Sequence, residues 1–170
     1  AYDVSLYYDR EKDELTDLFY KGDRTMRESG FDPTNRFGPF SVDVLYYLPV
    51  CLNSLLHQTE TDLAEIYHIL GSDDAQELST EEKIWQSRAE QRRAKINEYL
   101  WDEQSGLYFD YHTTTEQRRK YEFATTFYPL WTGIASDEQA KRVVENLSKF
   151  EAPGGVRTST FNSGNQWDDP

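Results

Sequence analysis

Arg27-Glu28-Ser29-Gly30-Phe31-Asp32-Pro33-Thr34-Asn35-Arg36-Phe37-Gly38 is the stretch around which the chain is arranged. A helical pattern leads into it, and Gly30, Pro33 and Gly38 then end regular structure. Glycine leaves the backbone free to approach a ligand closely, and proline fixes the turn. Asp32 lies between Phe31 and Pro33, so one carboxyl sits beside an aromatic face at a helix exit. An apolar neighbour disfavours the ionised form and raises a carboxyl pKa, as a general acid working near neutral pH requires. The same residues also suit an Asx-turn, with Asp32 capping the break before Thr34. Local pattern leaves both readings open.

Before this stretch, Lys12 to Met26 reads as a helix with Leu15, Leu18 and Phe19 on one side, weakened by Gly22. After it, Pro49 to Leu70 reads as a long helix, with proline suited to its start and Gly71 to its stop. Leu48, Leu52, Leu55, Leu56, Leu63, Ile66 and Leu70 recur at the 3–4 spacing of one buried stripe. Asn53 lies beside that stripe, either as a satisfied polar residue at a helix interface or as a contact for a ligand. Ser72 to Ser79 is an acidic loop, and Ser79 with Glu82 forms a capping box that opens a helix to about Leu100. Its apolar stripe is Ile84, Trp85, Ala89, Ile96 and Leu100. Trp101 to Gly106 is turn-like and Leu107 to Tyr111 alternates as a strand. Phe123 to Ile134 reads as a buried helix bent at Pro129. Ser136 with Gln139 caps a last helix to about Lys149, with Val143, Val144 and Leu147 inward, and Pro153-Gly154-Gly155 stops it.

Composition narrows the function. A chain of 170 residues has room for one domain with a sizeable core, and an aromatic fraction of 15% suits a folded chain. A formal charge of −13 argues against nucleic acid, whose phosphates demand basic patches. No apolar run approaches the roughly 20 residues needed to span a bilayer. Cys51 is the single cysteine, so no internal disulfide forms. No glycine-rich phosphate loop and no G-x-S-x-G elbow is present. His57 and His68 share nearly one helix face, but at 1.5 Å per residue they stand about 16 Å apart and cannot hold one metal. No metal and no cofactor is expected. The compartment is not legible: periplasmic, extracellular and cytoplasmic locations are all compatible.

Several motifs, in order, resemble the trehalase family of glycoside hydrolases. Glu28-Ser29-Gly30-Phe31-Asp32 with Arg36-Phe37 resembles its E-S-G-W-D…R-[WF] segment, and Leu52-Asn53-Ser54-Leu55-Leu56 its L-N-x-L-L helix. Tyr99-Leu100-Trp101-Asp102 with Gly106-Leu107-Tyr108-Phe109-Asp110-Tyr111 is similar to its Y-L-W-D…G-x-Y-x-D-Y hairpin. Phe127-Tyr128-Pro129-Leu130-Trp131, Pro153-Gly154-Gly155 and Gly164-Asn165-Gln166-Trp167-Asp168-Asp169-Pro170 follow, the last resembling its Q-W-D-x-P signature.

The resemblance implies an all-α fold, part of an (α/α)6 toroid with short β-hairpin insertions. Such a ring needs twelve helices, and the four or five read here cannot close it. With Ala1 in place of an initiating Met, this leads us to expect a processed or cut chain, residues 1–170 being part of a single catalytic domain. It implies inverting hydrolysis of α,α-trehalose, a small disaccharide, to two glucose molecules with Asp32 as general acid. The family's general base falls beyond Pro170, so the remaining part of the same enzyme is the expected partner. Gly30, Phe31, Gln166, Trp167 and Asn53 are the candidate substrate contacts. Phe31 replaces the family's usual Trp and loses its indole N–H. Arg36 reads as the partner of a nearby carboxylate rather than a ligand. The rival readings are a related (α/α)6 α-glucosidase acting on another α-glucoside, and a non-catalytic helical module that binds sugars or proteins.

Overall fold

The computed structural model describes residues 3–32, 34–71, 79–165 and 167. The expected acidic loop at 72–79 therefore lies outside them except for Ser79, and so does the Gln-Trp-Asp-Asp-Pro run except for Trp167.

A 3-10 turn at Val4–Leu6 precedes a short hairpin, β1 (Tyr8–Asp9) against β2 (Glu14–Leu15). Helix α1 (Asp17–Ser29) starts later than the apolar spacing suggests, because the hairpin takes up the residues before it. Thr16 caps it, its hydroxyl accepting from the Phe19 N–H. Leu15 consequently belongs to a strand and is exposed. Gly22 is no weak point either. A Cβ there would stand 2.5 Å from the Val42 carbonyl oxygen, so glycine is what lets the 3-10 segment Pro39–Tyr46 lie against α1.

After β3 (Tyr47–Leu48) the long helix α2 (Val50–Gly71) packs along α3 (Thr80–Tyr99). The leucine stripe of α2 does not face this partner. Leu52 is 52% exposed, Leu55 42% and Leu70 77%, whereas Val50, Cys51, Ser54, His57, Glu60 and Ala64 are buried. Two stripes of helical period run along α2, and the one made of small and polar residues meets the neighbour. On α3 the buried positions are Glu82, Ala89 and Ile96, while Ile84 is 45% exposed. The Ser79 hydroxyl accepts from the Glu82 N–H at 3.1 Å, supplying the first half of the expected capping box. The Glu82 carboxylate accepts from Gln86 and stands 3.2 Å from His68 Nδ1.

The region expected to form one strand is divided. β4 (Trp101–Asp102) pairs with β5 (Leu107–Tyr108), while β6 (Tyr111–His112) lies between β3 and β7 (Gln117–Arg118) in a separate three-stranded sheet. Phe109 and Asp110 bridge the two, both buried. Instead of one bent helix over 123–134 there is a 3-10 turn, Ala124–Phe127, and then a single turn of α-helix, α4 (Tyr128–Trp131). Pro129 sits in that first turn, where its missing N–H costs nothing. Helix α5 (Asp137–Glu145) has the reciprocal Ser136–Gln139 box and ends before Lys149, which belongs to a 3-10 turn, Leu147–Lys149. Val143 is fully buried, but Val144 faces solvent at 54% exposure. Pro153-Gly154 is the turn of a last hairpin, β8 (Glu151–Ala152) against β9 (Gly155–Val156), so the Pro153-Gly154-Gly155 run is not a plain stop.

The main core gathers where α2 begins and α3 ends. Val50, Ile96, Leu100, Leu107, Ile134 and Val143 pack there with the aromatic rings of the β4–β5 hairpin. A smaller cluster of Met26, Phe37 and Val44 joins α1 to the loop that follows it.

Candidate active site

The loop after α1 begins with Gly30 at φ 77°, the left-handed turn that closes a helix C-terminus, its N–H donating to the Arg27 carbonyl at 3.2 Å. No atom lies within 4 Å of where a Gly30 side chain would start, so this backbone faces open space. Phe31 turns inward, 5.6 Å from the Phe123 ring and 5.4 Å from the Trp167 ring. Asp32 is half-buried, at the surface rather than in the core. Its carbonyl accepts the Trp167 indole N–H at 3.3 Å, which ties the C-terminal stretch back to the helix exit across 135 positions.

Beneath this corner lies Arg36, fully buried. Its guanidinium carbon stands 5.1, 4.7 and 4.9 Å from the ring centres of Phe31, Phe37 and Phe123. Nε and Nη2 donate to the two oxygens of Asp110, each at 2.6 Å, the bidentate geometry that makes arginine–carboxylate pairs strong. Burial opposes the charge on Arg36, but the Asp110 carboxylate outweighs it and holds the guanidinium above its ordinary pKa. Nη1 completes the shell with Cys51 Sγ at 3.4 Å. Asp110 also accepts from the Val50 N–H at 2.9 Å, at the first turn of α2. Arg119 holds the loop from outside, donating to the carbonyls of Arg36 at 2.6 Å and Asn35 at 3.0 Å. Losing one partner of such a buried pair costs about 3–5 kcal/mol, because the other charge is left without compensation.

Of the candidate residues, the structure brings Gly30, Phe31, Asp32 and Trp167 into one corner. Gln166 lies outside the described residues. Asn53 sits elsewhere, in the groove between α2 and α3, its amide donating to the Pro49 carbonyl at 2.9 Å and its oxygen accepting from Arg92 at 3.4 Å. Those bonds fit the interface reading of this residue. A cleft of about 580 Å³ in that groove is lined by Asn53, Glu60 and Arg92, and another of about 550 Å³ by His57, His68 and Glu82; neither is lined by Asp32 or Trp167. No cluster suited to a metal ion occurs among the described residues. Sequence reasoning anticipated a carboxylate for Arg36 but missed that it is Asp110, and it missed Phe123 and Arg119 altogether. The only signal for Asp110 was its place in the Gly106–Tyr111 motif.

The family model described as Trehalase matches residues 3–170. The chain belongs to the trehalase family. Among its relatives, this trehalase-family chain is 42% identical over 151 residues to the cytosolic neutral trehalase of Kluyveromyces lactis, a match covering 86% of the chain and 20% of that protein. It is 39% identical over 164 residues to the cytosolic neutral trehalase of Saccharomyces cerevisiae, covering 93% and 21%. In structure it resembles neutral trehalase Nth1 from Saccharomyces cerevisiae, with TM-score 0.78 and 38% identity over 89% of this chain and 30% of that one. A GH63 mannosylglycerate hydrolase from Thermus thermophilus shares the fold at TM-score 0.63 and 20% identity, covering 98% of this chain and 40% of that one. The fold is thus part of the helical toroid of these enzymes. The chain spans about a fifth of the length of the curated relatives it matches.

Proposed function

We propose that the trehalase-family chain forms the acid-bearing part of an α,α-trehalase, an inverting glycoside hydrolase with Asp32 as general acid. The observation that carries this reading is the helix-exit corner. Family membership supplies the reaction class, and there an open glycine turn, an aromatic wall and one half-exposed carboxyl adjoin. In the reaction Asp32 gives its proton to the oxygen bridging two glucoses as the bond from that oxygen to one anomeric carbon breaks. The first glucose leaves with that oxygen and proton. A water oxygen bonds to the anomeric carbon from the opposite face, and its proton passes to a second carboxylate. In an inverting enzyme the two carboxyl groups stand roughly 6.5–9.5 Å apart, leaving space for that water.

No residue of this chain is assigned the second role. The general base and the remaining helices of the same catalytic domain come from protein outside these 170 residues, as the fifth-length match to the relatives supports. The same helices are the natural cover for the exposed leucine face of α2. Trp167 and Phe31 would offer flat faces to the C–H surface of a pyranose, and Gly30 and Gln166 polar contacts to its hydroxyls.

Asp32→Asn in the full gene product tests the assignment. Turnover of trehalose should fall by about 10²-fold or more, in line with the usual worth of a general acid, while trehalose binding stays within a few-fold. Retained turnover, or loss of folding in place of turnover, overturns it.

A further inference from the structure

We infer that Asp110 is a positioning residue for the acid: it acts through Arg36 to fix the loop that presents Asp32. This rests on the reading of Asp32 given above. Arg36 lies four positions beyond Asp32 and has no exposed surface, so where its guanidinium is held decides where the loop backbone runs. Asp110 takes the Nε–Nη2 edge of that guanidinium with its two oxygens, each at 2.6 Å. Its oxygen is in turn fixed by the Val50 N–H, at the rigid start of a 22-residue helix. One carboxylate therefore couples the acid loop, the long helix and the hairpin region 107–112. The three rings around Arg36 block other positions for the guanidinium, and one of them, Phe31, is the residue next to Asp32. Arg119 acts in the same sense, since its N–H donates to the Asp110 carbonyl at 2.8 Å while its side chain grips Asn35 and Arg36.

A misplaced acid should harm only the step that needs a proton. Trehalose has a poor leaving group that must be protonated, whereas α-glucosyl fluoride releases fluoride with little acid help. Asp110→Asn keeps the shape of the side chain and removes its charge. In the full gene product it should lower kcat for trehalose about 10- to 100-fold, with KM within a few-fold and hydrolysis of α-glucosyl fluoride nearly unchanged. Asp32→Asn, run beside it, should show the same split more strongly. If Asp32→Asn shows the split and Asp110→Asn slows both substrates equally, or neither, the positioning role is wrong and the acid assignment survives. If Asp32→Asn itself shows no split, the acid assignment falls and the inference with it. Should Asp110→Asn fail to fold, Asp110→Glu keeps the charge while displacing the guanidinium. It should give the same split at smaller size, and equal losses on the two substrates refute the proposal.

Discussion

His57 shows how a single buried side chain makes the fold sensitive to acid. It is 7% exposed on the α2 face that meets α3, and its Nδ1 has no hydrogen-bond partner among the described residues. Burial first, and the nearby positive Arg93 next, push its pKa below the ordinary 6.5, with Glu60 pulling the other way and Arg92 adding to the fall. Above pH 6.5 both folded and unfolded chains carry it neutral, so it contributes no pH dependence there. Below that value the unfolded chain binds a proton that the folded chain refuses, and stability falls as pH drops towards the folded-state pKa. Urea midpoints should decline below about pH 6.5 more steeply in the parent than in His57→Gln. Equal slopes would remove His57 from the account. Arg36 shows how far residue-level reading reached. A lone arginine in an apolar loop demands a carboxylate, and that much was legible. The identity of the partner was not, because 74 positions separate Arg36 from Asp110 and no local spacing links them.

At the scale of elements, the two boxed caps were read well, while several breakers and the burial were not. Thr16, Ser79 and Ser136 all cap where short polar side chains suit a helix start, and only the last two announced themselves by a Glu or Gln three positions on. The two stripes of α2 have the same period, so periodicity alone could not say which one α3 covers. The bulkier one looked like core and is the exposed one. Gly22 was misread for a related reason, since a glycine inside a helix is costly in isolation and earns its place only through a neighbour. Gly22→Ala gains about 1 kcal/mol of helix propensity. Against this, the new Cβ would lie 2.5 Å from the Val42 oxygen and 2.8 Å from its Cβ, with backbone rather than a flexible chain end in the way. Overpacking of this kind costs typically 1–3 kcal/mol or somewhat more. A net loss of stability is expected, seen as a lowered denaturant midpoint; an unchanged or raised midpoint would show that the Pro39–Tyr46 segment yields easily.

For the whole molecule, the likeness to neutral trehalase Nth1 extends over 89% of the chain, and the uncovered face of α2 is the feature that must be reconciled with it. Leu52, Leu55, Leu56, Ile66, Ile69 and Leu70 are all more than a third exposed along one helix. Each such side chain is worth about 1.5–3 kcal/mol when fully buried. The 170-residue chain by itself should therefore self-associate, and Leu52→Lys with Leu55→Lys should shift it towards monomer in analytical ultracentrifugation. In the full gene product the same pair of changes should instead lower the Tm. Unaltered thermal stability there would mean that the face stays uncovered.

Cys51 adds one more consequence. The residue is 8% exposed and its sulfur rests against Arg36, at the joint between the loop after α1 and the long helix. A thiol so placed is a built-in reporter. Alkylating reagents reach it only when that joint parts, so its labelling rate, followed by mass spectrometry of the peptide that bears it, clocks how often the floor beneath Asp32 opens.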